Sequence, residues 1–197
     1  MRRACLNEVR KRFFPLLRAE GFTGSGSTVR RVTAPLIHVV NIQGCHDGEG
    51  CYVNLGAHLA FLDPGVPLDH LGEFHCLFRT RFDPPGADAG QAWRYGRAPD
   101  DDEQTTATMG RLWPAASAAF FDRFRHYPQD FITLLRQDPI PGATGCALGY
   151  ARIAQHLGLR EEGRKWALVG LAQGRPGATN LRADLQQILV ALGDQPG

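Results

Sequence analysis

Between residues 28 and 59 three runs of strand-type sequence stand so close together that no helix fits between them. Thr28–Val32 and Leu36–Gln43 are parted only by Thr33-Ala34-Pro35, and the seven residues GCHDGEG (44–50) precede Cys51–Leu59. Parallel neighbours need a crossover of about a dozen residues or more, so short turns make these strands antiparallel. A fourth run, Phe74–Phe82, is expected to complete the sheet.

The flanks read differently. Across residues 3–19, Leu6, Val9, Phe13, Leu16 and Leu17 recur on one helical face, with Arg10, Lys11 and Arg18 off it. Pro15 should kink or split that helix, and Gly21 should end it. From Asp83 to Gln104 the Pro-, Gly- and Asp-rich sequence predicts a long loop, folded back through Trp93 and Tyr95. Pro114 and Pro128 stand where first helical turns would begin. Helices are predicted over 115–126, 129–137, 146–157, 161–172 and 180–192. The fold class is α+β: an N-terminal helix, an antiparallel sheet of about four strands and a C-terminal helical segment. We expect an α+β domain over 1–125 with a helical extension, 126–197, packed on it.

With 43% hydrophobic and 21% charged residues, the composition is that of a soluble globular protein. No window nears the roughly 18 apolar residues of a spanning helix, and the opening MRRACLNEVRKRFF is not of signal-peptide type. A cytoplasmic location and no membrane partner are expected. The net charge of +2 demands neither nucleic acid nor an anionic surface. Residues 1–35 carry eight basic and two acidic side chains, yet a basic first helix is more often a solvated face than a nucleic-acid site. Twenty arginines against two lysines fit a GC-rich bacterial genome.

Five scattered cysteines (5, 45, 51, 76 and 146) make no disulfide framework. Cys45, His46, Cys51 and His58 lack zinc-site spacing, and His70 with His75 lacks the HExxH pattern; no metal and no cofactor are expected. GxSxG, phosphate-loop and GxGxxG patterns are missing as well. Glu73 beside His75 is a weak acid/base candidate, and no residue is assigned to catalysis.

Strand alternation nevertheless builds a surface. With Cys51, Val53, Leu55, Ala57 and Leu59 turned inward, Tyr52, Asn54 and His58 share the other face. Asn41 and Gln43 lie opposite Val40 and Ile42. In the fourth run Cys76, Phe78, Thr80 and Phe82 should face the core, leaving His75, Arg79 and Arg81 on the polar side. Two forked guanidinium groups among amides suit a carboxylate or phosphate. The other reading is the solvated side common to antiparallel sheets.

The order of short motifs resembles a known family. FFPLLRAEGFTGSGSTVRRV (13–32), HVVNIQ (38–43), YVNLG (52–56) and CLFRTR (76–81), with Trp93 after them, are similar to the bacterial family catalogued as domain of unknown function 4304. The resemblance spans roughly residues 5–125 and implies no transferable activity. Similar small α+β domains among bacterial immunity and interaction proteins favour binding over catalysis, by analogy alone.

The expected role is a non-enzymatic binding module of the immunity or antitoxin kind, with a protein partner. Arg79 and Arg81 would anchor charge, Asn41, Gln43, Tyr52 and Asn54 would orient, and Trp93 would form an apolar edge. The alternatives are a small-molecule binder or small enzyme with its pocket between that face and the 83–104 loop, and nucleic-acid binding through the first helix.

Overall fold

The computed structural model describes residues 2–88, 90–95, 100–137, 144–175 and 177–193. Contacts divide the chain into two units, Met1–Phe124 and Arg125–Gly197.

The first unit opens with α1 (Arg2–Ala19), which runs unbroken through Pro15. Proline removes one hydrogen bond, but Val9, Phe13 and Leu17 bury one face, and that packing carries the helix across the gap. Leu16, assigned to the same face, is 41% exposed. The helix ends as Gly21 enters the left-handed region (φ 86°) and donates to the Arg18 carbonyl, while Phe22 N–H reaches back to that of Leu17. This termination drops Phe22 into the core against Phe121, 5.7 Å between ring centres.

Strands β1 (Thr28–Thr33), β2 (Leu36–Gly44), β3 (Gly50–Leu59) and β4 (Phe78–Phe82) form an antiparallel sheet in that order. A two-residue strand, β5 (Trp93–Arg94), pairs with the start of β3. The fourth strand is shorter than expected: Glu73–His75 form a 3-10 turn, and the strand begins only at Phe78.

The long loop is also shorter, because α2 spans Asp101–Phe121 with Pro114 inside it. Asp101, Asp102 and Glu103, read as loop residues, sit in its first turn, where carboxylates complement the helix dipole. Buried Met109 and Trp113 before the proline, and Ser117, Phe120 and Phe121 after it, hold the helix continuous. Between sheet and helices Phe13, Phe82, Trp93 and Trp113 interlock, with ring centres 4.9 to 6.5 Å apart. Such aromatic clusters dominate core energetics; truncating one ring to alanine costs about 3–5 kcal/mol.

The second unit holds α3 (Gln129–Arg136), α4 (Thr144–His156), α5 (Arg160–Gln173) and α6 (Thr179–Ala191). These lie within a residue or two of the predicted helices. Gly170 on α5 permits close packing: a Cβ there would meet Leu185 Cδ1 at 2.7 Å and Ala147 Cβ at 3.2 Å.

Candidate functional site

Cross-strand register places the expected polar residues on one face of the sheet. Thr28, Asn41, Asn54 and Arg81 are successive partners across all four strands, and Gln43 pairs with Tyr52. The next row carries Arg30, Val39, Gly56 and Arg79. The opposite face, with Val53, Leu55, Ala57 and Phe82, forms the core.

Only half of the polar face is open. The segment after β3 folds back over the other half, where Ile37, Val39, Leu71 and Cys76 make a small apolar cluster flanked by Val66. Two expectations are corrected by this cover. Cys76 is not on the core side: it belongs to the 3-10 turn region and packs on Gly56, where a Cβ would stand 2.6 Å from its sulfur. His58 is not part of an open surface: its side chain is 2% exposed, 3.4 Å from Asp63 of the covering segment. Burial lowers the His58 pKa, opposed by Asp63 and assisted by His75.

In the open half a chain of hydrogen bonds orders the polar residues. Asn41 Nδ2 donates to Thr28 Oγ1 (2.8 Å), and Asn54 Nδ2 donates to both Asn41 Oδ1 and Gln43 Oε1 (each 3.3 Å). Asn54 Oδ1 in turn accepts from Arg81 Nε at 3.2 Å. The Arg81 guanidinium stacks over the Tyr52 ring, 4.4 Å from its centre, and donates through Nη1 to the Gly90 carbonyl at 3.2 Å. Gly90 has φ 83° and donates to Asp83 Oδ2. A glycine is required there by its left-handed backbone, and a Cβ would also crowd Arg81 Nη1 at 3.3 Å. Arg81 is therefore immobilised on three sides, with little rotamer entropy left to lose on binding.

Arg79, by contrast, has no hydrogen-bond or ion-pair partner among the described residues and is exposed. It borders a polar recess of about 330 Å³ with Gln43, Asn54, Glu73, Thr80 and Arg81. Two guanidinium groups against one carboxylate leave the recess cationic. Guanidinium forks beside amides are groups that can hold a planar anion such as a carboxylate or phosphate.

The seven candidate residues do not all meet. Arg79, Arg81, Asn41, Gln43, Tyr52 and Asn54 share the face. Trp93 does not: it pairs with Cys51 on the core side, is 3% exposed and donates from Nε1 to the Phe82 carbonyl at 2.7 Å. An indole with its N–H satisfied is most stable in the core, which overrides its place in a polar loop. Glu73, weighed only as an acid/base partner of His75, and the Gly90 carbonyl, not among the candidates, also border this part of the face. Both come from turns whose approach strand periodicity does not encode.

His75 Nδ1 accepts from Gly72 N–H at 2.9 Å, which ties that ring to the turn. Among the described residues, no three His, Cys, Asp or Glu side chains converge as a metal site would require. Beside Tyr52, burial raises the pKa of the Cys45 thiol, while its hydrogen bond with Tyr52 acts to lower it.

A family model described as domain of unknown function (DUF4304) matches residues 13–112. No curated protein and no solved structure matches the chain. The matched segment holds the end of α1 from Phe13, the whole sheet and the first half of α2, and so every residue of the polar recess.

Proposed function

From a chain that belongs to the DUF4304 family, whose description carries no activity, we propose a non-enzymatic binding module that recognises carboxylate groups of a protein partner. The observation that supports this reading most is the state of its two arginines. Arg81 is held rigid by Asn54, Gly90 and Tyr52, while Arg79 beside it lacks an anionic partner. A face that were merely solvated would gain nothing from a hydrogen-bonded ladder organised around one exposed guanidinium. Preorganised arginine and aromatic groups are the side chains that carry interface energy.

The test uses wild-type chain and the Arg79→Ala/Arg81→Ala variant as parallel baits in lysate. A near-stoichiometric protein retained by the wild type, and at least tenfold less by the variant, supports the reading. Equal or empty lanes sink it and leave the face solvated. A second reading, a small-molecule site between this face and the loop, draws on the Arg81–Gly90 contact that brings loop and face together. Saturable thermal stabilisation by a small dicarboxylate, lost in the same variant, would favour it.

A further inference from the structure

Strand β4 is the last in the sheet, and among the described residues no strand pairs with its outer edge. The opposite edge is closed differently, since Thr23 and Arg30 exchange two backbone hydrogen bonds of 2.7 Å alongside β1. A recess lies on each face of the open strand. One is the polar recess of about 330 Å³ around Arg79 and Arg81. The other, about 540 Å³, opens on the core side between β4 and α2. Leu112, Ala116 and Ala119 form its helical wall, Thr80 and Phe120 lie within it, and Arg123 stands just past the helix end. The wall residues follow each other at helical spacing, and small side chains leave the space open.

We propose that the β4 edge accepts an extended segment of a partner protein as a sixth strand. Its acidic side chains would face Arg79 and Arg81, and its small apolar side chains would face the α2 wall. This rests on the proposed carboxylate recognition and adds the edge and the α2 groove to it.

An added strand continues both faces of its neighbour, and its side chains alternate between them. One set therefore falls beside the arginines and the other into the larger recess. The outer edge of β4 offers backbone hydrogen-bonding groups that no described strand takes up. Charge selects the occupant. Among the described residues lining the two recesses, Arg79, Arg81 and Arg123 stand against Glu73 and Asp83 as the acidic side chains, and Asp83 already accepts from Gly90. A second copy of β4 would bring its own arginines against these, which like-charge repulsion disfavours. An acidic segment of a different protein fits; self-pairing does not.

The probes are two labelled octapeptides of one composition, Asp and Val either alternating or as a block of four Asp then four Val. Anisotropy is read on the full chain, on Ala119→Trp and on Arg79→Ala/Arg81→Ala. Ala119 is exposed, so a bulky side chain there should fill the groove without unfolding the helix. The alternating peptide should bind at least tenfold tighter than the block peptide. Both variants should weaken it tenfold or more, and it should slow amide exchange in β4. Equal binding of the two peptides, or indifference to Ala119→Trp, overturns strand addition. If the arginine variant still weakens binding in that case, carboxylate recognition stands without it. No binding of either peptide also overturns strand addition, and the lysate comparison then decides the arginine face alone.

Discussion

Acidification should destabilise the first unit chiefly through His38. Its Nδ1 accepts from Arg31 Nη2 at 3.0 Å, which fixes the neutral ring with its proton on Nε2. That nitrogen has no hydrogen-bond partner, and the ring packs 4.5 Å from Phe121. Burial first, and the Arg31 charge second, hold the His38 pKa down to about 3 against an ordinary 6.5. Protonation would cost Arg31 its acceptor and place two cations side by side. The unfolded chain thus takes up a proton that the folded one refuses. Stability from this group is complete above the unfolded pKa of 6.5 and is lost as the pH falls toward about 3. At about 1.4 kcal/mol per pH unit, moving from about pH 7 to about pH 4.5 costs roughly 2.5 kcal/mol. Urea unfolding followed by tryptophan fluorescence measures it. A Trp166→Phe background leaves Trp93 and Trp113, both in the first unit, as reporters. His38→Leu should remove most of the slope, with a remainder from His58, whose pKa is also lowered. A slope unchanged in His38→Leu would refute the reasoning.

Other perturbations follow from single contacts. Gly56→Ala would set a Cβ 2.6 Å from Cys76 Sγ and lift the covering segment, at about 1–3 kcal/mol. Peptide mapping should then show faster alkylation of Cys76, whose thiol pKa burial pushes up to about 12. Glu20 accepts from Trp113 Nε1 (2.6 Å) and Ser117 Oγ (3.1 Å), tying the end of α1 to α2. Glu20→Ala leaves both donors unpaired and should cost about 2–4 kcal/mol in urea titrations, since hydrogen bonds to charged groups contribute about 1.5–3 kcal/mol each. Asn54→Leu removes the acceptor for Arg81 Nε. It should lose about 1–3 kcal/mol, and a drop in partner retention beyond that of an equally destabilised core variant would separate positioning from folding. Exposed Arg152 and Asp184, 2.9 Å apart, should contribute under about 1 kcal/mol by double-mutant cycle.

Much of the architecture is legible in the chain itself. Alternation sorted Asn41, Gln43, Tyr52, Asn54, Arg79 and Arg81 onto one face, because the side-chain period of a strand is fixed by backbone geometry. Short turns made the sheet antiparallel, and the Gly-Phe pair after α1 marks where that helix stops. Tertiary structure decided the rest. Pro15 and Pro114 read as punctuation, yet both lie inside helices, because the buried residues around them outweigh one missing hydrogen bond. Trp93 reads as a surface anchor and is core, because its ring fills space beside Phe82 and its N–H finds the Phe82 carbonyl. His58 takes the side that periodicity gives it, but periodicity does not tell whether a returning segment covers that side. Cys76 reads as a core-facing strand residue only when alternation is extended back past Phe78, where the strand begins. The groove beside β4 has no signature at all: it arises where α2 passes the sheet edge, a distance set by packing and written in no local pattern.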